Sequence, residues 1–449
     1  MNEVITIFQD YKQNIIQYKD HFPIIEEFKQ LIGEQNLILQ TDGSIQVKNY
    51  VGFLQKGKTK LQVLPKIYSG NKIENDEIED SMSFLFRLLA WSDYFSFKDL
   101  DELDISIRKK DAFEIFIRIF IQKFLKEFNR SPHYEYITQI ENQQIIKGKI
   151  LFTETIKRNS HSWHKHIVEF DEFSIDNKLN QLFKFVILEL IKSTDDGQNK
   201  MMLRQGIVLL EEVSTLNISA EFFNCIQFNR QNQRFKSLFN FAKLFFFNNQ
   251  PGLSTGKEKT FSFLIPLNLL FENAVKVFLQ NIGSKNENLK IDYHKHISFG
   301  NEDGENRFIL EPDFLLKERG IDNKWKTIAV LDTKFKYPFN EQGKAAIKDS
   351  DLYQLTTYAS AFKTDLIFVI YPLFRNSLST KSCIATYSLK THFINTKLVL
   401  LQVDITEECK EKIQDDLNNS ILSLLKPKIS PPQVLIEVVS HTTIHQLTD

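Results

Sequence analysis

Apolar residues recur at three- and four-residue steps between Asp111 and Phe128, which puts Phe113, Phe116, Phe120, Phe124 and Phe128 on one stripe. That spacing predicts a helix with an aromatic face turned into a core. Ser81–Trp91 and the stretches around 176–193, 200–214 and 230–247 read as further helices. Pro266–Leu279 reads as an amphipathic helix with its proline near the first turn. Residues 1–75 mix an early helical stretch with strands around 45–67, and more strands are expected at 134–152, at Thr327–Leu331 and near 397–404. The polar, acidic run Asn71–Asp80 reads as a loop, and Asn248–Lys259 as a boundary. A helix near 406–425 and Pro431-Pro432 precede a last apolar run at 433–439.

These elements predict a multidomain α+β or α/β chain with three parts: an α/β segment at 1–75, a helical and strand-containing region at 76–255, and a mixed-sheet domain flanked by helices, with a C-terminal extension, at 256–449.

The chemistry concentrates in the third part. Glu311-Pro312-Asp313 sits in the apolar segment Arg307–Leu316, and Val330-Leu331-Asp332-Thr333-Lys334 ends a run of strand formers. Side chains two apart on a strand share a face, so Asp332 and Lys334 point the same way. If the two strands pair, two carboxylates and an ammonium meet. Two close carboxylates repel unless a cation lies between them, and a hard divalent ion such as Mg²⁺ suits oxygen ligands. The ion would polarise a phosphoryl oxygen and acidify a bound water, and the lysine adds a compact positive charge. Phosphodiester hydrolysis is the chemistry implied; a surface hairpin with solvated charges is the plain alternative. Downstream, Asp351–Ala359 reads as a helix that puts Gln354 and Tyr358 on one face, with Asp349, Ser350 or Asp351 as its cap. Upstream, Glu272 interrupts the apolar stretch Leu269–Val275.

In order, helix acid, strand Pro-Asp, strand Asp-x-Lys and helix Gln-x-x-x-Tyr resemble the PD-(D/E)xK nuclease superfamily. The longer phrases are similar to its McrC branch, the nuclease subunits of McrBC-type modification-dependent restriction systems. They are Leu270-Phe271-Glu272-Asn273-Ala274-Val275, Glu311-Pro312-Asp313, Leu331–Lys336 and Asp351–Ala359. Tyr50–Gln55 followed by Leu61–Ile67, Gly148-Lys149-Ile150, Asp171–Asn180 and Phe228–Asn232 extend the likeness over about residues 45–375. The resemblance implies a Mg²⁺-dependent DNA endonuclease with Asp313, Asp332, Lys334, Glu272, Gln354 and Tyr358 in its site, and with Asp313, Asp332 and Glu272 as metal ligands. It also implies an McrB-like AAA+ GTPase hexamer as partner, which binds GTP and acts on double-stranded, modified DNA. The N-terminal part would engage that ring and stimulate its GTP hydrolysis while the C-terminal part cuts.

The remaining features fit this expectation. Lys plus Arg number 56 and Asp plus Glu 57, a formal net charge of −1, so a partner or a local groove must supply much of the DNA affinity. Cys225, Cys383 and Cys409 are scattered and form neither a disulfide framework nor a zinc motif. Met1-Asn2-Glu3-Val4 has no basic region or apolar core of a signal peptide, and no apolar run is long enough for a bilayer, so a cytoplasmic protein is expected. Gly252–Glu258 has the wrong spacing for a phosphate loop, so GTP is not expected on this chain. His161, His164 and His166 lack zinc-ligand spacing. Residues 105–110 and 139–158, with Arg108 or Arg158, are candidate partner contacts. A self-sufficient PD-(D/E)xK nuclease, or a nuclease-dead scaffold that activates a GTPase, are the alternatives.

Overall fold

A computed structural model describes residues 3–10, 13–14, 18–40, 44–57, 59–69, 75–92, 111–248, 260–302, 305–390, 395–407 and 409–425. The 105–110 stretch with Arg108, the 252–258 segment and the 433–439 run lie outside these.

Near the N-terminus, strands Glu3–Phe8, Thr59–Leu64, Tyr50–Lys56 and Thr260–Pro266 form one sheet in that order. Gly52 in the Val51-Gly52-Phe53 phrase has φ +129°, and a Cβ there would lie 1.9 Å from the Phe263 carbonyl oxygen. Glycine lets the Tyr50–Lys56 and Thr260–Pro266 strands approach. The strand after the Asn248–Lys259 segment thus completes the N-terminal sheet, paired from Thr260↔Lys56 to Pro266↔Tyr50.

The phenylalanine stripe lies in helix Ala112–Arg130 and is buried along its whole length. Phe116 stacks on Phe241 of helix Lys236–Asn248 with ring centroids 4.0 Å apart, and its ring lies 4.4 Å from that of Phe263, joining helix to sheet. The helix begins where Asp111 accepts a bond from the Glu114 amide at 3.1 Å. Lys60 from the sheet reaches Glu114 at 3.0 Å, and Glu114 also accepts from Thr194 and Asn199, so the buried ions are paired and bonded.

Two family-like phrases are structural devices. Asn177 caps helix Lys178–Ser193, and Asn180 donates to the His133 and Ile175 carbonyls at 2.8 and 2.7 Å. Asn232 accepts from the Asn229 amide at 2.8 Å and shapes the turn before helix Lys236–Asn248.

Several expectations are corrected. The Asn71–Asp80 run is not all loop: helix Asn75–Trp91 starts inside it, because its acids occupy the favourable first turns. Strand His166–Ser174 and the short helix Phe152–Arg158 were not foreseen. Arg307–Leu316 is not one strand. It divides at Glu311-Pro312-Asp313, between strand Glu305–Leu310 of a hairpin and strand Phe314–Arg319 of the main sheet. Pro312 lacks an amide and restricts Glu311, which ends the first strand there.

The C-terminal part contains α1 (Leu267–Leu279), β1 (Leu289–Tyr293), β2 (Phe314–Arg319), β3 (Trp325–Thr333), α2 (Asp349–Phe362), β4 (Leu366–Leu373), β5 (Cys383–Lys390), β6 (Asn395–Asp404) and α3 (Lys410–Leu425). The strands form one mixed sheet, β1-β2-β3-β4-β6-β5, in which β3, β4 and β6 run parallel. α2 packs Leu355 and Ala359 on Val330, Val369 and Leu400 of one face. α1 and α3 pack on Leu331, Ile370 and Leu401 of the other. The α2 cap is Lys348, which makes no side-chain cap bond, rather than Asp349, Ser350 or Asp351. The Leu64-Pro65-Lys66-Ile67 phrase braces the loop after β4, where Arg375 N–H donates to the Ile67 carbonyl at 2.8 Å and the Arg375 guanidinium pairs with Asp80.

Candidate active site

β2 and β3 pair antiparallel with Phe314 opposite Leu331, so the next pair outward is Asp313 and Asp332. Asp332 is 1% exposed at the end of β3. Its Oδ2 lies 2.6 Å from the Lys334 Nζ, as expected for two residues on one face of an extended chain. The Asp313 carboxylate accepts from the Thr333 amide at 2.7 Å and the Thr333 hydroxyl at 2.6 Å, which fixes it across the strand pair. Gln354 Oε1 is 3.4 Å from the Lys334 Nζ, and Gln354 Nε2 donates to the Tyr358 hydroxyl at 2.9 Å. Tyr358 donates in turn to the Glu311 carbonyl at 3.3 Å. α2 therefore ties the lysine to the Glu311-Pro312-Asp313 turn.

Glu272 approaches from α1. Its Oε1 is 2.5 Å from His294 Nε2, while His294 Nδ1 is 2.6 Å from Glu311 Oε1. His294 has φ +47°, a left-handed conformation uncommon outside glycine, and its amide donates to the Asp313 carbonyl at 3.2 Å. Sequence reading missed His294, and nothing in its neighbourhood signals it, because its role depends on a turn that brings β1 beside α1. The carboxylate of Glu311 and the hydroxyl of Thr333 were within recognised phrases but were given no role.

The electrostatics follow from this crowding. Burial, and then the charge of Asp313, push the Asp332 carboxyl up to about 7. Burial and Asp313 also raise Glu272, against the opposing bond from His294. Burial works against the Lys334 ammonium, but the Asp332 carboxylate beside it outweighs burial and holds its pKa above the ordinary value. Burial likewise works against a charged His294, and its bonds to Glu311 and Glu272 outweigh it and raise its pKa.

Asp313 and Asp332 are a donor pair that fits a hard divalent cation, since the charge of Asp313 raises the cost of ionising Asp332. Among the described residues no three His, Cys, Asp or Glu side chains form a ready cluster for a metal. Glu272 is bonded to His294 at 2.5 Å. His161 and His164 are exposed beside Trp163.

The raised Asp332 value predicts a pH dependence. The folded chain keeps a proton that the unfolded chain has already lost at its ordinary 3.8. Stability from this group is present at low pH and is lost as pH rises towards about 7. Melting in EDTA is expected to show a fall from pH 5 to pH 8 that is smaller in Asp332→Asn. An equal fall in both chains would contradict the assignment.

A second expectation concerns Glu272, Gln354 and Tyr358. If Asp313 and Asp332 hold a metal ion that cuts DNA, Glu272→Ala, Gln354→Ala and Tyr358→Phe are expected to lower cleavage by about 10–100-fold, less than loss of either aspartate, since they would orient rather than hold. Steady-state cleavage rates test this. A Glu272→Ala chain as inactive as Asp332→Ala would make Glu272 a direct ligand.

Fold and site together define a class: a mixed α/β protein whose C-terminal sheet presents two carboxylates and a lysine at adjoining strand ends. The family model described as McrBC 5-methylcytosine restriction system component matches residues 45–372. The chain belongs to that family. Among solved structures it is similar to a half-complex from the tetradecameric assembly of Thermococcus gammatolerans McrB AAA+ hexamers with bound McrC. The TM-score is 0.66 at 19% identity, over 94% of this chain and 100% of that one, a likeness of fold. The cryo-EM structure of the Thermococcus gammatolerans McrBC complex matches with a TM-score of 0.47 at 22% identity, over 62% of this chain and 88% of that one. No curated protein matches the chain.

Proposed function

We propose that this chain is an McrC-like subunit, a Mg²⁺-dependent DNA endonuclease that works in the cytoplasm with an McrB-like AAA+ GTPase hexamer and stimulates its GTP hydrolysis. The observation that carries the nuclease reading is the juxtaposition of Asp313, Asp332 and Lys334 at the ends of β2 and β3. Asp313 and Asp332 would hold the ion. When bound, Mg²⁺ supplies charge for the phosphoryl oxygens and a more acidic water. Lys334 is placed to bind a phosphate oxygen or steady developing negative charge, and Gln354 sets its direction. Burial and the charge of Asp313 raise the Glu272 carboxyl, against the bond from His294.

The partner reading is supported by the sheet of strands Glu135–Gln143, His166–Ser174 and Lys149–Ile150. Ile140 and Phe173 on that sheet, Phe152 and Ile156 on the adjoining short helix and Trp163 on the loop after it are all exposed, apolar side chains of the kind that anchor a protein interface. Gly148 has φ +74°, and a Cβ would lie 2.3 Å from the Glu169 carbonyl oxygen, so glycine lets the hairpin close. Arg158 is exposed at the end of the adjoining short helix, with Glu154 at 3.5 Å, and is the remaining candidate for an arginine that reaches the GTPase. Among the described residues no helix is long and apolar enough to cross a membrane.

The test is a GTPase assay with the McrB-type protein of the same genome. This chain alone is expected to hydrolyse no GTP and to raise the partner's rate. Hydrolysis by the chain alone, or an unchanged partner rate, would contradict the reading.

A further inference from the structure

Tyr371 and Gln402 are register partners on the parallel strands β4 and β6. Asp332 pairs with Val369, two residues before Tyr371, and the Lys334 amide donates to the Ile370 carbonyl. Alternation along each strand therefore puts Asp332, Tyr371 and Gln402 on one face, the face that α2 covers. Tyr371 is fully buried, and its hydroxyl has no hydrogen-bond partner among the described residues. Both polar atoms of the Gln402 side chain, 5% exposed, also lack partners among the described residues. Buried polar groups are rarely left unpaired, and clusters of them mark sites where order is kept for a function or a bound water. The Tyr371 hydroxyl lies within electrostatic reach of Asp351 and Asp332. Gln402 lies a further strand away from that pair.

We propose that Tyr371 is a positioning residue whose hydroxyl, through one ordered water, orients the Asp332 carboxylate for a divalent cation. The proposal rests on the metal-site reading above. The hydroxyl suits this task because a water it holds can donate to an ionised carboxylate, and a buried donor fixes which oxygen stays free to ligate. Lys334 cannot do this alone, since it must also be free to meet a phosphate.

The test is Mn²⁺ binding to the full chain, followed by electron paramagnetic resonance in the wild type and in Asp332→Ala, Tyr371→Phe and Gln402→Leu. Asp332→Ala is expected to lose binding. Tyr371→Phe is expected to weaken it about tenfold, as for other groups that orient a ligand. Its melting temperature should stay at or above wild type, because no bond within the protein is lost. Gln402→Leu, which removes neighbouring unpaired polar atoms, should bind as wild type does. Mn²⁺ affinity within twofold of wild type in Tyr371→Phe overturns the proposal while leaving the metal site standing. So does an equal loss in Gln402→Leu, or a Tyr371→Phe chain that melts well below wild type. Equal binding by wild type and Asp332→Ala overturns both the metal-site reading and this one.

Discussion

Replacing Asp332 or Asp313 by alanine is expected to abolish Mg²⁺-dependent DNA cleavage, a loss of about a thousandfold or more, while the chain stays folded and still binds its partner. The size follows from the role: each residue supplies one of the two carboxylates at the strand ends, and losing a group that stabilises transition-state charge costs about 10²–10³-fold even without loss of the ion. Folding should survive because the Asp332 carboxyl, raised to about 7, is a strained group rather than a source of stability at neutral pH. Lys334→Ala should also cripple cutting. Lys334→Arg should not restore it, because a planar fork is not a point charge, and it is the lysine's compact charge that lies 2.6 Å from Asp332. Cleavage near the wild-type rate in either aspartate variant would contradict the site assignment.

The second large effect is expected at the exposed sheet. Ile140→Asp with Phe173→Asp should remove most of the stimulation of an McrB-type GTPase and leave Mn²⁺ binding at the Asp313–Asp332 site unchanged. The two surfaces are built from separate elements, so the losses should be independent. Few interface residues carry most of the binding energy, and exposed aromatic and branched apolar side chains are the expected anchors. A GTPase titration gives the answer: full stimulation by the double variant would move the partner contact elsewhere. Point variants are the right tool here, because strand Thr260–Pro266 completes the N-terminal sheet and one buried core runs from Phe8 to Ile421. A chain cut near residue 255 would lose that strand and expose the core.

Much of this site is written in local sequence. Asp332 and Lys334 are two apart on a strand, and Gln354 and Tyr358 one helical turn apart, so period alone places each pair. What brings them together is the sheet, and the pairing of Phe314 with Leu331 depends on where Pro312 breaks the chain. His294 and Tyr371 were not legible for a related reason. His294 acts through a left-handed turn, and Tyr371 looks like a core aromatic in an apolar strand until register sets it near Asp332. The phenylalanine stripe was legible because helical period and burial coincide over many residues. The start of helix Asn75–Trp91 was not, since acids suit both a loop and a helix N-terminus. The exposed apolar residues on the 135–174 module were hidden by the polar and basic residues between them.

The most direct test is cleavage of a methylated DNA by the purified chain with the McrB-type GTPase of its own genome, GTP and Mg²⁺. Unmethylated DNA, EDTA and Asp332→Ala are run beside it. Cutting that requires Mg²⁺ and disappears in Asp332→Ala is the predicted result. Cutting that survives EDTA or the Asp332→Ala change, or no cutting by a wild-type chain that fully stimulates the GTPase, would contradict a metal-dependent nuclease at Asp313 and Asp332.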